Sequence, residues 1–251
     1  MIHLFLGKLG SGKTLHAVRQ MYEDQDYIKT YSNIITKKLK NNCLINSDMI
    51  IKKVLVDTKR KRDGTEVPVY EYKLNREFWI KLENEPLNVI IDEAHEIFNA
   101  RRSFSNINKI FSSYLSLLRR VVGNRDGTVY GRLTLISQLS RRLDIIGREM
   151  CNSIYYHIGH YIKQCRKCKL TWQENSEIPE PIYKCPQCNH PYLIKYNHVI
   201  QVYKFKSLND FEMWQQTGQK FWYGQIYIKN CEKIFPLYKT MQWDNLFDDL
   251  Y

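Results

Sequence analysis

The stretch that most limits what this chain can become is Gly7-Lys8-Leu9-Gly10-Ser11-Gly12-Lys13-Thr14, which follows the apolar run Ile2-His3-Leu4-Phe5-Leu6 without a break. A strand that stops at Gly7 and hands over to a helix from about Thr14 forces the loop between them to wrap an anion. Gly10 and Gly12 let the backbone come close, and successive N–H groups turn inward. In this Walker A pattern Lys13 reaches the β- and γ-phosphates of a nucleoside triphosphate and the Thr14 hydroxyl ligates Mg²⁺. The phosphate-binding set is therefore Gly7, Lys8, Leu9, Gly10, Ser11, Gly12, Lys13 and Thr14. Leu15, Ala17, Val18, Met21 and Tyr22 recur at helical spacing and supply the helix whose N-terminus adds its dipole.

A second stretch answers the first. Leu87-Asn88-Val89-Ile90-Ile91 is a near-continuous apolar run, as a strand buried on both faces of a parallel sheet should be, and it ends in Asp92-Glu93. This matches the Walker B pattern, in which Asp92 holds Mg²⁺ and Glu93 polarises the water that attacks the γ-phosphate. The run Thr30-Tyr31-Ser32-Asn33-Ile34-Ile35-Thr36 reads as a short strand expected beside the first one. Ile107, Ile110, Phe111, Tyr114, Leu115, Leu118, Val121 and Val122 mark a core helix over 106–122 that Gly123 can end. Leu133 to Ile136 reads as the next strand, and Gln138 just beyond it is the expected sensor of the γ-phosphate or of the attacking water.

Cys165-x-x-Cys168 and Cys185-x-x-Cys188 stand 16 residues apart. Two such turns present four sulfurs to one ion, and a cage of four thiolates leaves no open position, so the spacing predicts a structural Zn²⁺ site. Segments 154–163 and 199–206 read as strands on either side, which makes the zinc ribbon an excursion between them. His157 and His160 read as strand residues, and Cys43, Cys151 and Cys231 have no spacing partners. Residues 53–73 read as a hairpin turning at Asp63-Gly64, with Lys59, Arg60, Lys61 and Arg62 at its tip.

Composition narrows the class. With 43% hydrophobic and 25% charged residues the chain is globular, and no apolar run approaches the ~20 residues of a membrane span. The expectation is a soluble protein of the cytoplasm with no membrane partner. A formal charge of +12 favours a polyanionic partner, and duplex DNA bound without sequence preference is the expected one. The stretch 209–251 is rich in aromatic residues and is expected to pack on the domain or on a neighbouring subunit.

Taken together, GKLGSGKT, TYSNIIT, VIIDEAHEIF followed by Arg101-Arg102, and LISQ followed by Asp144-Ile145-Ile146 resemble the zonula-occludens-toxin-like P-loop ATPases of filamentous phages and archaeal viruses. These stand near the HerA and FtsK group of DNA pumps, and the chain looks closest to the versions carried by spindle-shaped, fusellovirus-type archaeal viruses. The resemblance covers roughly residues 1–160. It implies a homo-oligomer, with a hexameric ring as one form, ATP between subunits, and an arginine from the neighbour, for which Arg101, Arg102 and Arg148 are the candidates. Asp92-Glu93-Ala94-His95 also looks like motif II of superfamily 2 helicases, which need a second such domain, and Lys8 like the signature lysine of partition-type ATPases, which have glycine where Leu9 stands.

The expected architecture is thus an α/β P-loop NTPase of the RecA-like, ASCE type: a mostly parallel sheet flanked by helices, with an inserted zinc ribbon. Its parts are an ATPase core over 1–160 carrying the basic hairpin, a ribbon over 161–195, and a returning strand and aromatic arm over 196–251. The expected activity is ATP hydrolysis coupled to DNA, in moving or packaging a viral genome within the host cytoplasm. Lys13, Glu93 and Gln138 are the catalytic candidates, and ATP, Mg²⁺ and Zn²⁺ the cofactors. The competing readings are a DnaA-like AAA+ replication initiator and a nucleotide-gated DNA-binding scaffold that does not turn over.

Overall fold

The computed structural model describes residues 1–60, 65–82, 85–97, 106–122, 131–143, 145–179 and 182–239. Strand β1 (Ile2–Leu6) is buried along its whole length and runs into the glycine loop and helix α1 (Lys13–Asp24). Strands β2 (Lys29–Ser32) and β3 (Asn42–Leu44) follow. A short helix α2 (Ser47–Ile50) then leads into a separate antiparallel ribbon of β4 (Ile51–Arg60) and β5 (Glu66–Leu74). Helix α3 (Arg76–Ile80) returns the chain to the core strand β6 (Leu87–Ile91). Next come α4 (Ala94–Ile97), α5 (Asn106–Val122), β7 (Leu133–Ile136) and α6 (Ile145–Glu149). The long strands β8 (Ser153–Cys165) and β10 (Leu193–Phe205) bracket β9 (Thr171–Asn175), and α7 (Leu208–Thr217) and β11 (Gly224–Ile228) follow.

One nine-stranded sheet carries the order β11-β10-β8-β1-β7-β6-β2-β3, with β9 added on β8. From β8 to β3 the neighbours are parallel, while β9, β10 and β11 join antiparallel. The fold is thus the expected mostly parallel α/β sheet of a P-loop NTPase. One expectation fails: β2 pairs with β6 and β3 and lies nowhere near β1. Strand β7, met much later in the chain, takes the place beside β1 and separates the two motif-bearing strands. A run of local β character carries no information about which edge it will occupy, because that is settled by how the crossover helices pack.

Two layers sandwich the sheet. On one face, α1 buries Leu15, Val18 and Met21 against Phe5, Ile136 and Ile200. On the other, α5 buries Tyr114, Leu115 and Leu118, and Trp79 of α3 is fully buried in rings formed by Tyr31, Phe78 and Tyr114. The C-terminal stretch packs on the same sheet: Phe211 and Trp214 of α7 lie against Tyr156 and Phe205. Strand β11 within that stretch is an element that the aromatic composition concealed. The hairpin turn at Asp63-Gly64, with Lys61 and Arg62, and the residues Arg101, Arg102 and Asp144 lie outside the described residues.

Strand β8 serves two partners along one edge. His3 to Leu6 of β1 pair with Ser153 to Tyr156, and beyond the end of β1 the same edge pairs with β9 from His160 to Gln164. The seam between β1 and β9 falls at Gly159, whose N–H donates to Ser176 Oγ at 3.0 Å and whose carbonyl accepts from Ser176 N at 2.8 Å. The glycine loop sits against that seam: a Cβ at Gly159 would stand 2.8 Å from Gly10 O.

Candidate active site and metal centre

The loop from Gly7 to Gly12 turns tightly, with Ser11 N donating to Lys8 O at 3.1 Å. Gly12 has φ +91°, and a side chain there would strike Ile200 of β10, so two constraints demand glycine at once. Helix α1 opens with His16 N donating to Gly12 O at 2.9 Å. Lys13 Nζ donates to Gly7 O at 2.8 Å and to Lys8 O at 3.0 Å, which folds the ammonium over the loop. Burial lowers the Lys13 pKa, while the carboxylates of Glu93 and Asp92 pull it back up. A buried cation folded over a glycine loop at a helix N-terminus is a site for a polyanion.

Asp92 follows β6 directly, and its Oδ2 accepts the Thr14 hydroxyl at 2.8 Å. Residues 78 apart in the chain are thereby joined at the start of α1. Asn33, which directly follows β2, clasps the Asp92 backbone on both sides: Nδ2 donates to Asp92 O at 2.9 Å and Oδ1 accepts from Asp92 N at 2.7 Å. Burial, foremost, raises the Asp92 pKa and the Glu93 charge adds to this, whereas the Thr14 hydrogen bond and Lys13 oppose it. A hydroxyl oxygen and a crowded carboxylate form the hard oxygen set that suits Mg²⁺.

Glu93 adopts φ +49°, a left-handed conformation that costs a side-chain-bearing residue about 1–2 kcal/mol. Its half-exposed carboxylate lies 3.3 Å from Nδ1 of the buried His95, which in turn stands 3.5 Å from Ser137 Oγ at the end of β7. Ser137 N donates to Phe5 O at 2.9 Å, so Gln138 sits at the carboxyl edge of the strand beside β1, half-buried. Tyr238 is buried against the same region, its hydroxyl pKa raised by burial first and then by the Asp92 charge. It reaches there because the C-terminal segment bridges back to the turn after β2, Tyr238 against Thr36.

The fold therefore gathers Lys13, Thr14, Asp92, Glu93 and Gln138 at the carboxyl ends of β1, β6 and β7. Of the loop residues, Leu9 is 80% exposed and Lys8 turns outward to the loop after β9, where Nζ meets Glu177 O at 3.0 Å and Oε2 at 3.4 Å. Arg148 lies on α6, half-buried. Sequence reading missed Asn33 and His95, although each carried the available signal of a polar residue at or just past the carboxyl end of a strand. It also missed the buried pair His16 and His157, which no local pattern could have joined.

The second site forms where β8 ends. The Sγ atoms of Cys165, Cys168, Cys185 and Cys188 all lie within 4.8 Å of one another, with Cys165–Cys188 and Cys168–Cys185 at 3.5 Å. A tetrahedron of Zn–S bonds of ~2.3 Å has edges of about 3.8 Å, so the four sulfurs fit such an ion. The two turns repeat one design. In the first, Lys169 (φ +62°) donates N–H to Cys165 O and Cys165 N donates to Leu170 O. In the second, Asn189 (φ +57°) donates to Cys185 O and Cys185 N donates to His190 O. His190 takes no place among the four ligand atoms, and His157 and His160 are strand residues of β8, as expected.

These features define the class: a P-loop NTPase fold with a cysteine cluster fit for a structural metal. The profile of the zonular occludens toxin (Zot) family matches residues 1–161, and the chain belongs to that family. No curated protein matches it significantly. Among solved structures it is similar to the N-terminal domain of zonular occludens toxin from Neisseria meningitidis, at 18% identity and TM-score 0.48, covering 95% of this chain and 98% of that one. It is also similar to the genome packaging NTPase B204 of Sulfolobus turreted icosahedral virus 2, in complex with ATP-gammaS, at 16% identity and TM-score 0.32, covering 62% and 74%. The DNA-packaging ATPase B204 of Sulfolobus turreted icosahedral virus gives 19% identity and TM-score 0.34, over 62% and 74%.

Proposed function

We propose that this protein binds ATP in the loop Gly7 to Thr14, hydrolyses it, and uses the turnover to act on duplex DNA, in moving or packaging a viral genome. The observation that carries the reading is the 2.8 Å contact between Thr14 and Asp92, which brings the two motifs to one point. In this reading Lys13 releases its loop carbonyls and binds the β- and γ-phosphates. Thr14 and Asp92 hold Mg²⁺, which when bound neutralises phosphate charge. Asn33 keeps Asp92 from rotating away. Glu93 takes the proton of the attacking water, His95 orients that carboxylate, and Gln138 contacts the γ-phosphate or the water.

The DNA half of the reading is supported by the +12 charge and by the likeness of the motifs to those of DNA pumps. Arg101, Arg102 or Arg148 of a neighbouring copy completes the site in a homo-oligomer, and the cysteine cluster holds Zn²⁺ as a structural ion in a ribbon over 161–195. Among the described residues no helix is long and apolar enough to cross a membrane; the place of work in this reading is the host cytoplasm. The test is ATP turnover with and without random duplex DNA, alongside the mass of the assembly. Turnover that rises with any duplex, in a ring-sized assembly, is the expected result. Slow turnover with affinity for a single DNA sequence points to an initiator instead, and ATP binding without turnover to a scaffold.

A further inference from the structure

The β4–β5 ribbon has no part in the nucleotide site, and its construction is unlike the rest of the molecule. It forms a two-stranded sheet of its own, with no third strand among the described residues. Its base is fixed: Ile51 is buried, Asn75 N donates to Ile50 O at 2.8 Å, and Trp79 Nε1 donates to Met49 O at 2.8 Å. From Leu55 to Arg60 every residue of β4 is exposed. A lone hairpin is marginal in water, and this one holds Leu55 (56% exposed), Val56 (48%) and Tyr70 (47%) in solvent.

Its side chains sort by face. Cross-strand pairs Lys53–Tyr72 and Leu55–Tyr70 place an aromatic and aliphatic patch on one face, where Lys53 Nζ lies 4.3 Å from the Tyr70 ring centre. Lys52 and Lys73 are paired on the other face. Outward come Lys59 and Arg60, and the sequence continues with Lys61 and Arg62. The acids are Asp57, Glu66 opposite Arg60, and Glu71, which pairs with Lys73 at 3.3 Å, so cations predominate towards the end of the strand.

The dimensions select a partner. A strand of 10 residues spans about 33 Å, and two strands ~4.8 Å apart with their side chains are about 10–12 Å across. The major groove of B-DNA is ~12 Å wide and admits a two-stranded β-ribbon. The register shift between Leu55 and Asp57 adds local twist, which a ribbon needs to follow a groove.

We infer that the β4–β5 ribbon is the arm that engages duplex DNA, entering the major groove with Lys59 and Arg60 on the phosphates and the Tyr70 face against the groove wall. This rests on the DNA-coupled reading above and adds to it the contact surface. Phosphate contacts carry no sequence information, so the affinity that Lys59 and Arg60 supply is indifferent to sequence.

The experiment uses the full chain and a labelled 30-bp random duplex, titrated between 50 and 200 mM salt. Two variants are compared with wild type: K59A/R60A, and a shortened ribbon in which residues 58–68 give way to Asn-Gly, joining the paired Asp57 and Val69. Losing two phosphate contacts should lower the salt slope by about 1.8 and the affinity near 0.1 M salt by roughly 60-fold, with ATP binding unchanged. Wild type should also shield guanine N7 from methylation, and the shortened ribbon should not. Retained ATP binding in each variant certifies the fold. If wild type binds duplex and both variants bind it equally, the ribbon inference is overturned while the DNA reading stands. If the variants change only the mass of the assembly, the ribbon is an intersubunit arm and the inference again falls. If wild type ignores duplex DNA at every salt, the DNA reading itself fails.

Discussion

Beneath the phosphate loop three side chains form one chain of neutral hydrogen bonds. His157 Nδ1 lies 3.1 Å from Leu6 O, a carbonyl, so that nitrogen carries the proton and Nε2 accepts. His16 Nδ1, 2.8 Å away, must then donate, and its Nε2 accepts from Gln20 Nε2 at 3.3 Å. A further proton anywhere would set two donors face to face. Burial holds His157 down to about 3, and His3, through burial first and then nearby cations including Arg132, down to about 4. An unfolded imidazole titrates near ~6.5. Between these values the unfolded chain binds protons that the native chain refuses, so the stability is fully present above pH ~6.5 and is lost as pH falls below it. His157 alone should cost about 2 kcal/mol at pH 5, and denaturant unfolding at pH 7.5 and 5 measures it. H157Q, which cannot titrate, should flatten that dependence. At the neighbouring carboxylate, E93Q should leave ATP affinity within about twofold and lower turnover by roughly 10²–10⁴, the usual worth of a general base. Equal turnover in single-turnover assays would remove Glu93 from the chemistry.

At the scale of elements, β8 links everything that matters. One end pairs with β1, the middle touches the glycine loop at Gly159, and the last residue, Cys165, belongs to the cysteine cluster. G159A should push Gly10 out of line, since its Cβ would fall 2.8 Å from Gly10 O, and ATP affinity should drop at least tenfold while the far-ultraviolet spectrum stays native. Beyond the loop, the buried pair Lys163–Glu174 at 2.7 Å, with Trp172 Nε1 donating to Glu174 Oε1 at 2.7 Å, ties β9 to β8. E174A strands a buried ammonium and should cost about 3–5 kcal/mol in denaturant unfolding. The cluster itself should return one zinc per chain by elemental analysis, and a strong chelator should lower the melting temperature. Chelation without effect, with four titratable thiols, would mean that the knuckles stand without metal.

The whole molecule is organised so that its candidate active site lies along one edge of the sheet, where the loop after β1, the acids after β6 and the end of β7 converge. The return of Tyr238 against Thr36 brings the C-terminal stretch within electrostatic reach of Asp92. If an arginine from a neighbouring copy completes the site, two inactive chains should rescue each other. Mixing K13A with the variant of Arg101, Arg102 or Arg148 that abolishes hydrolysis but spares ATP binding should restore turnover, because some interfaces then pair an intact loop with an intact arginine. No restoration at any mixing ratio would place every catalytic group within one chain.

Local chemistry made part of this legible before any coordinate. The glycine loop, the cysteine turns, the 106–122 helix and the ribbon are built from contiguous residues whose backbone preferences and periodicity act over a few positions, and each lies where the sequence put it. Long-range pairing was not legible in the same way. Strand β7 stands between β1 and β6, β2 lies at the far side of β6, and His16 meets His157 across 141 positions. Those choices are made by which faces of α1 and α5 fill the two sides of the sheet, a property of the packed whole that no window of sequence contains.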